Sequence, residues 1–404
     1  MSRAYIYMDH PETGELLTLG RLALRGSTGE FLYAPELVKR GGWVPDPINY
    51  PLRAEPYTGI TKNRGFPGFI NDAMPDGWGE RLLHRAYGRD LGPIDFLLKS
   101  PNSDRIGNLM AGTAAAPAPG LGGGAVPTLR GLAKFVEACE AVYDGQLEDE
   151  AIITLNIRQQ RSALGGARPK RTLQDNGMLI LAKPRDRFDN YDYPSIEYAC
   201  MTFAASKGLS VAKTALHAES PTTLLVERFD RTPIAEGAKR IPMLSALTLL
   251  NADWNEPYHR DWLYAGMADE MRRRGVPDED LHELFRRMCY NALVGNSDDH
   301  PRNHAVILIH GQWRLSPMYD VLPILEEGPA KALAMAVGSD GPQVSRSNLL
   351  SHHTHFALER EHAEHLLDEV ASWEEELKDY YSQWLKGGDL QMAREATSSE
   401  RMLR

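Results

Sequence analysis

The chain has 404 residues, three cysteines and a formal net charge of −10 at neutral pH. That length allows two or three domains with hydrophobic cores of their own, and the composition is that of an ordinary globular protein. The negative charge argues against a general nucleic-acid surface, because phosphate binding needs clustered Lys and Arg. The cysteines show no paired spacing, which indicates packing residues rather than disulfides or metal ligands. No apolar run approaches the length of a membrane span and the first residues do not form a signal peptide, so we expect a cytoplasmic protein with no membrane partner.

The amino-terminal part of the chain is expected to form a small β-sheet followed by helices. Residues 4–24 consist of strand-like stretches on either side of a turn at 11–15, and residues 29–37 continue in the same style. Residues 72–87 then carry apolar positions at helical spacing. The stretch 111–127 is almost uncharged and rich in Ala, Gly and Pro, a composition that suits a flexible connection and marks a first domain boundary.

The middle of the chain combines a glycine-containing loop with a strand that carries a basic residue. Gly165 and Gly166 are followed by Lys170, and a glycine pair lets backbone amides approach phosphate oxygens closely. Lys183 ends an apolar strand, where it either contacts a phosphate or is a strand-end lysine whose ammonium group reaches water. Glu197 is expected in the first turn of the next helix, where its carboxylate either pairs with Lys183 or favours the positive helix end.

The remainder of the chain is expected to be mainly helical. A helix that begins at residue 278 carries an apolar stripe, which indicates a buried face. The stripe consists of Leu281, Leu284, Phe285, Met288, Cys289 and Ala292. Residues 349–384 are also expected to be helical, followed by a polar tail from about Gly387. Five histidines between His352 and His365 allow a metal site, but they lack Cys or carboxylate companions, which favours exposed helix histidines.

The most informative stretch is a loop followed by a β-hairpin. The loop 296–304 reads Asn-Ser-Asp-Asp-His-Pro-Arg-Asn-His, and the hairpin closes with Ser-Pro-Met-Tyr-Asp. The two apolar strands around a His-Gly turn predict that Ile309 pairs with Gln312. Counting back along an antiparallel ladder, Asn303 and Asp320 then meet at the open end of the hairpin. The sequence therefore predicts two oxygen ligands in one place.

The order of these side chains is typical of a phosphotransfer site. Asp298 precedes Asn303 by five residues and Asp320 follows on the second strand, an order that protein kinases use. A carboxylate can accept the proton of an attacking hydroxyl, and Asn and Asp oxygens suit Mg²⁺, which prefers hard ligands. The alternative is a solvated acidic turn, since Asn, Ser, Asp and Pro are ordinary turn residues. Phosphoryl transfer is the preferred interpretation.

Several motifs in this order resemble those of HipA-like serine/threonine kinases, the toxin components of bacterial HipBA-type toxin–antitoxin systems. The motifs are 162–170, Lys183, 227–231, 298–303 and 316–320. Segments 69–78 and 104–108 resemble the amino-terminal subdomain of that family, so the likeness covers nearly the whole chain. It implies an α+β, two-lobed protein-kinase-like fold with a small β-rich amino-terminal subdomain and a mainly helical carboxy-terminal lobe.

We expect three segments on this basis. Residues 1–127 would form the amino-terminal HipA-type subdomain, β-rich with helices. Residues 128–235 would complete the amino-terminal lobe with the phosphate loop and the ATP-binding strands. Residues 236–404 would form a helical lobe with the catalytic loop and the metal-binding hairpin.

The resemblance also implies roles for individual residues. Asp298 would be the catalytic base, and His300 would orient the catalytic loop or touch phosphate, with Arg302 in the same loop. Asn303 and Asp320 would bind Mg²⁺. The expected ATP-binding residues are Gly165, Gly166, Ala167 and Lys170 in the phosphate loop, Lys183 at the phosphates, and Glu227 and Phe229 at the nucleotide.

The resemblance finally implies a function and partners. The chain would be an ATP- and Mg²⁺-dependent protein kinase whose substrate is a protein such as an aminoacyl-tRNA synthetase. A HipB-like DNA-binding antitoxin would be its partner, and DNA would be contacted only through it. Ser162 lies close to where the family carries an autophosphorylated serine, whose added charge expels the loop and inactivates the enzyme. Two alternatives remain open: a small-molecule phosphotransferase of kinase-like fold, and a non-catalytic nucleotide-binding scaffold.

Overall fold

A computed structural model describes most of the chain. The described residues are 2–122, 126–144, 168–217, 222–234, 237–256, 259–325 and 328–404. They fall into two compact units by internal packing. The first unit contains Met1–Arg187, Asp230–Leu244 and Asp253–Asn255, and the second contains Phe188–Phe229, Ser245–Ala252 and Glu256–Arg404.

The strands and helices are numbered here in chain order. The strands are β1 Ser2–Asp9, β2 Leu16–Arg25, β3 Thr28–Tyr33, β4 Tyr57–Ile60, β5 Leu109–Gly112, β6 Arg171–Asp175, β7 Met178–Pro184, β8 Thr214–His217, β9 Thr223–Glu227, β10 Arg231–Ile234, β11 Gly237–Arg240, β12 Met243–Ser245, β13 Ala305–Ile309 and β14 Gln312–Leu315. The α-helices are α1 Pro35–Arg40, α2 Gly68–Asn71, α3 Gly77–Tyr87, α4 Pro93–Lys99, α5 Leu132–Asp144, α6 Tyr193–Ser206, α7 Ala246–Leu249, α8 Tyr264–Arg273, α9 Asp278–Val294, α10 Arg346–Ser351, α11 Arg360–Ala371, α12 Glu374–Tyr381, α13 Gly387–Ala396 and α14 Glu400–Leu403. Short 3₁₀ turns occur at Lys62–Gly65, Asn102–Asp104, Leu129–Gly131 and His353–Phe356.

The predicted amino-terminal sheet is confirmed. It has five antiparallel strands in the order β4-β3-β2-β1-β5. Its aromatic core includes Phe31, whose ring contacts Tyr33 and Phe69 edge-on at centroid distances of 4.9 and 5.6 Å. Such contacts add to the free energy that the rings gain by leaving water.

The stretch 111–127 is not a free connection over its whole length, contrary to the prediction. Residues 111 and 112 belong to β5, which pairs with β1. Beyond the strand, Tyr7 Oη donates a hydrogen bond to the Ala114 carbonyl at 2.5 Å, and Thr18 Oγ1 donates to the Ala115 carbonyl at 2.7 Å. Composition suggested a linker because Ala and Gly bury little apolar surface, but it could not show that their backbone groups have partners in the sheet.

The second unit is mainly helical, and its central helix is α9. The apolar stripe predicted for this helix is confirmed, because all six of its members are buried. The three cysteines are also buried and free, as the sequence predicted. Helix α9 therefore offers one apolar face to the core and a rigid base for the loop that follows it.

The predicted polar tail after Gly387 is wrong. This stretch forms α13 and α14, and they bury Met392, Ala396 and Met402. The Ser398 amide donates a hydrogen bond to the Leu293 carbonyl at 3.0 Å, close to the end of α9. The helices are short and their polar residues face outward, so the few apolar positions gave too weak a pattern for prediction.

The α+β class, with a β-rich amino-terminal part and a mainly helical carboxy-terminal part, agrees with the prediction. The division into segments 1–127, 128–235 and 236–404 stays a prediction, because the two units are defined by internal packing and not by sequence motifs. Among the described residues, no helix is both long and apolar enough to cross a membrane.

Candidate active site

The predicted β-hairpin is present with the predicted register. Ile309 pairs with Gln312, and the ladder continues to Val306 and Leu315. The turn residues His310 and Gly311 have φ values of 48° and 79°, as a tight two-residue hairpin turn requires.

The return strand is held beyond the ladder by other parts of the second unit. The Ser316 amide donates to the Ala305 carbonyl at 2.9 Å. Met318 then pairs with the segment around Val211, because its amide donates to the Ser210 carbonyl at 2.8 Å and its carbonyl accepts from Ala212 at 3.0 Å. Backbone hydrogen bonds on both sides thus define the path of the chain towards residue 320.

The loop between α9 and β13 is a compact series of turns. The His300 amide donates to the Asp298 carbonyl at 2.8 Å, and the Asn303 amide donates to the His300 carbonyl at 2.8 Å. The side-chain amide of Asn303 returns to the Asp298 carbonyl at 3.3 Å. Asn303 is buried, whereas Asp298 is exposed. The loop therefore presents the Asp298 carboxylate to solvent while its backbone is tied down.

Asp320 lies close to this loop. Tyr319 Oη donates a hydrogen bond to the Arg302 carbonyl at 2.8 Å, which fixes the neighbouring residue against the loop. Burial lowers the pKa of His300, and the negative charges of Asp298 and Asp320 oppose that shift. Both carboxylates are thus near one imidazole ring. Asp320 therefore lies beside the loop that carries Asp298, His300, Arg302 and Asn303.

Phe229, one of the predicted nucleotide residues, lies beside the same segment. The Phe229 ring lies against Tyr319 at a centroid distance of 5.6 Å, with 36° between the ring planes. Glu227 ends β9, where its amide donates to the Lys213 carbonyl at 2.8 Å and its carboxylate lies 3.4 Å from Lys213 Nζ. The sequence did not single out Tyr319, although its position directly before the motif aspartate was a usable signal.

Comparison with known proteins identifies the family. The model of the HipA-like C-terminal domain matches residues 162–377. The chain belongs to the HipA-like family. The solved HipA of Shewanella oneidensis MR-1, determined as a complex with HipB and operator DNA, superposes with a TM-score of 0.69 at 17% identity, covering 96% of this chain and 94% of that one. This confirms the predicted HipA-like, kinase-like fold class.

Two further similarities are narrower. "Putative kinase Y4dM" of Sinorhizobium fredii strain NGR234 is 26% identical over 217 residues, which is 48% of this chain and 49% of that protein. The chain thus matches about half the length of this curated relative. The Helicobacter pylori proinflammatory kinase CtkA has a TM-score of 0.32 at 18% identity, covering 39% of this chain and 55% of that one. A score this low carries no argument about fold.

The remaining HipA-like motif residues lie in the first unit or outside the described residues. Lys183 is in β7, which pairs with β6, and Lys170 lies just before β6. The predicted Gly165, Gly166, Ala167 and Ser162 lie outside the described residues.

Glu197 lies in the second turn of its helix and not in the first as predicted, because the helix begins two residues earlier than expected. Helix α6 begins at Tyr193, and the Asp192 side chain caps it by accepting hydrogen bonds from the Ser195 amide at 3.3 Å and its hydroxyl at 2.9 Å. Glu197 is therefore in the second turn, where it is buried. The helix starts earlier than predicted because Pro194 occupies its first turn, a position that proline tolerates well.

Two charged residues of α9 form hydrogen bonds to the hairpin, and the sequence did not identify either of them. Asp280 accepts two hydrogen bonds from the Arg314 guanidinium, both at 2.7 Å, and one from the Leu315 amide at 2.8 Å. Arg287, which is 1% exposed, donates to the Ser316 carbonyl at 2.7 Å. Each of them is adjacent in sequence to a residue of the apolar stripe. A charged residue on a buried helix face is unusual unless its charge is paired, and this could have identified both.

The histidine-rich stretch makes ordinary side-chain contacts. His355 Nδ1 lies 2.8 Å from Asp269 Oδ2, and His353 Nδ1 lies 2.8 Å from the Leu358 carbonyl oxygen. Within the described ranges, no three His, Cys, Asp or Glu side chains are grouped so that they could hold a metal ion.

Proposed function

We propose that this HipA-like chain is an ATP- and Mg²⁺-dependent serine/threonine protein kinase that acts as the toxin of a toxin–antitoxin pair. The observation that carries the proposal is the hydrogen bond from the Tyr319 hydroxyl to the Arg302 carbonyl, which holds the residue before Asp320 against the loop of Asp298 and Asn303. These side chains come from two segments of chain, and their order is that of a kinase catalytic loop followed by a metal-binding aspartate.

The donor set fits magnesium. Asn303 and Asp320 offer an amide oxygen and a carboxylate, which are hard ligands, and Mg²⁺ keeps several water ligands and needs only one or two carboxylates from a protein. The Asn303 amide nitrogen donates to the Asp298 carbonyl, so its Oδ1 atom is the one that can face a cation. When bound, the ion would neutralise charge on the phosphates of ATP.

The local charge also favours a cation. Burial lowers the pKa of His300, so its ring is neutral at pH 7 and does not offset the two neighbouring carboxylates. A neutral imidazole can still donate one hydrogen bond and accept one. We assign His300 to orienting the loop, together with Arg302, whose carbonyl holds the Tyr319 hydroxyl.

Asp298 is the proposed general base. Its carboxylate is exposed, while its carbonyl accepts hydrogen bonds from the His300 amide and the Asn303 side chain. A backbone held in this way presents the carboxylate in a limited range of directions to an incoming serine or threonine hydroxyl. Proton transfer by a positioned base contributes about 10²–10⁴-fold to a rate.

The nucleotide is proposed to bind next to the same segment. Phe229 offers an aromatic surface against Tyr319, and the backbone from Glu227 to Phe229 offers hydrogen-bonding groups to the adenine. Lys183 is proposed to contact the phosphates, as are the loop residues Gly165, Gly166, Ala167 and Lys170.

Partners and regulation follow from the family. The Shewanella HipA structure contains HipB and operator DNA, and we propose a HipB-like antitoxin for this chain, with DNA contacted through that partner. An aminoacyl-tRNA synthetase is the proposed class of substrate. Autophosphorylation of Ser162 is the proposed means of inactivation, since a phosphate adds about two negative charges to a loop that would otherwise bind ATP phosphates.

The test is transfer of labelled phosphate from ATP, with Mg²⁺, to proteins of a bacterial lysate, followed by identification of the modified peptides. Asp298→Asn should lower the rate by about a hundredfold or more. Asp269→Asn is the matched control, because Asp269 is a half-exposed aspartate on α8 that pairs with His355, away from the proposed catalytic loop. Undiminished transfer by Asp298→Asn would refute the assigned base. Turnover of a small-molecule acceptor without protein labelling would instead support a metabolite phosphotransferase.

A further inference from the structure

A buried group of polar side chains lies beneath the proposed catalytic loop. Asp299, His304 and Tyr264 are 1%, 3% and 0% exposed. Asp299 Oδ1 lies 2.7 Å from His304 Nε2, and Asp299 Oδ2 accepts a hydrogen bond from the Tyr264 hydroxyl. The hydroxyl keeps its proton, because burial and the Asp299 carboxylate raise the pKa of Tyr264 well above its usual value. Asp299 is therefore held from both of its oxygens.

The group continues into α9. Asn291 Nδ2 donates to the Tyr264 hydroxyl oxygen at 3.2 Å. Asn296 Nδ2 in turn donates to Asn291 Oδ1 at 3.1 Å. One set of hydrogen bonds thus joins α8, the last turns of α9 and both ends of the loop, and we call these five residues the buried polar network.

Two members of the buried polar network are sequence neighbours of the proposed catalytic residues. Asp299 directly follows Asp298, and His304 directly follows Asn303. The pair Asp299–His304 therefore has the same five-residue spacing as the base and the amide ligand, one position further along the chain. A single buried contact fixes both ends of the segment that carries the proposed catalytic groups.

Burial separates the roles of the neighbouring residues. Asp298 is exposed and Asp299 is buried, so one carboxylate is available for chemistry while the next is inside the unit. Hydrogen bonds in such a low-dielectric interior are strong, and Asp299 is paired at both of its carboxylate oxygens, which restricts it to one geometry. A buried polar pair stabilises a fold little more than apolar residues of equal volume would. The Asp299–His304 pair is therefore better explained by the loop geometry that it fixes than by stability.

We infer that Asp299, His304 and Tyr264 are positioning residues that set the distance between the Asp298 carboxylate and the Asn303 amide. The catalytic part of this inference rests on the proposed kinase function, whereas the effect on loop geometry does not. The network makes no contact with substrate in this assignment and acts through the loop backbone.

Hydrogen exchange tests the geometric part without any enzymatic assay. The amides of His300 and Asn303 are hydrogen-bonded within the loop. In the full-length His304→Ala variant they should exchange at least about tenfold faster, because loss of a buried hydrogen bond frees the loop end. Amides in α9 should be unaffected. Tyr264→Phe keeps the ring and removes only the hydroxyl, so it serves as a second, less disruptive variant with the same expected direction.

His304→Gln provides the rescue. The Gln side-chain amide can place a donor nitrogen where His304 Nε2 lies, so loop exchange should return towards that of the unaltered protein. The matched control is His355→Gln, which alters an Asp–His contact of 2.8 Å on the surface of the same unit. Acceleration of α9 and loop amides together would mean general destabilisation and would overturn the inference, as would unchanged loop exchange in both His304→Ala and Tyr264→Phe.

Kinetics test the catalytic part. His304→Ala should lower kcat by about 10–100-fold, since a displacement near 1 Å costs up to about 10²-fold, and it should leave KM for ATP unchanged. His304→Gln should recover most of the rate, and His355→Gln should have no effect. A folded His304→Ala protein with normal kcat would refute positioning. Absence of phosphate transfer by the unaltered chain would remove the proposed function, while the exchange result would still decide the geometric claim.

Discussion

Arg287→Met is the substitution that most directly tests how α9 supports the hairpin. The Arg287 guanidinium is almost completely buried and donates to three acceptors: the Ser316 carbonyl at 2.7 Å, the Ser210 carbonyl at 2.9 Å and Glu283 Oε1 at 3.0 Å. Met has similar length and keeps the apolar contacts of the side chain, but it donates no hydrogen bond.

The expected loss follows from what the substitution leaves behind. The buried Ser316 carbonyl loses a charged donor worth about 1.5–3 kcal/mol. The Ser210 carbonyl loses a donor but keeps the Met318 amide, and Glu283 loses Arg287 while Arg286 Nη1 stays 3.9 Å away. Glu283 keeps one hydrogen bond, from the Ser210 amide at 2.8 Å, so the three losses do not simply add. Removing one partner of a buried ion pair costs about 3–5 kcal/mol, and we expect that range for Arg287→Met.

The assay is thermal and urea unfolding followed by circular dichroism. A loss of this size should lower Tm by roughly 6–20 °C, at about 2–4 °C per kcal/mol for a domain of 150–250 residues. Arg314→Met is the matched control, because Arg314 also pairs with a carboxylate of α9 but its side chain is 44% exposed. Because Arg314 is half-exposed, water can replace its hydrogen bonds to Asp280, which also keeps the Leu315 amide, so we expect a loss of only about 1 kcal/mol. Equal losses for the two variants would refute the assignment of Arg287 as the buried tie between helix and hairpin.

Three other outcomes follow from the second unit. Gly295→Ala should lower the free energy of unfolding by about 2 kcal/mol or more, because φ is 78° and a Cβ would lie 2.7 Å from the Ala396 carbonyl oxygen; urea titration measures this. Burial raises the pKa of Cys200 to about 12, so iodoacetamide at pH 8 should label this thiol only after unfolding. For Glu374, burial acts to raise the pKa, but hydrogen bonds from Lys378 and Ser399 hold it below 4.5. Its carboxylate therefore adds stability that is present above pH 4.5 and lost as the pH falls through the folded pKa. In Glu374→Gln, Tm should change less with pH between pH 4.5 and that folded pKa.

Each of these outcomes has a contrary result, and the two substitutions also have matched controls. Gly388→Ala lies inside α13, where nothing would contact the new Cβ, and a loss equal to that of Gly295→Ala would contradict the steric argument. Rapid native labelling of Cys200 would show that this thiol is accessible. Glu375→Gln changes a side chain that is 87% exposed, and an identical effect on the pH dependence of Tm would show that the contacts of Glu374 are not its cause.

The candidate site was predictable to the extent that it depends on local sequence. The two apolar strands around the turn residues His310 and Gly311 predicted the register of the hairpin, and the Asp298–Asn303 spacing identified the loop. By contrast, the start of the helix that carries Glu197 was predicted two residues too late, because helix starts depend on which side chain caps the first amides. Asp280 and Arg287 were missed because an apolar stripe identifies a buried face but not the charged residues that cross it.

The sequence by itself therefore determined the secondary structure around the site, the α+β class and the likeness to HipA, since these follow from periodicity, turn chemistry and the order of motifs. Only the tertiary structure decided that Tyr319 connects Phe229 to the loop, that Asp299, His304 and Tyr264 form one buried group, and that the carboxy-terminal helices pack against the end of α9. Residues such as Tyr264 and Asp299 are 35 positions apart in the chain, and no local pattern relates them. Their contact exists because folding removes both from water, and a buried carboxylate must then find a donor wherever the chain brings one.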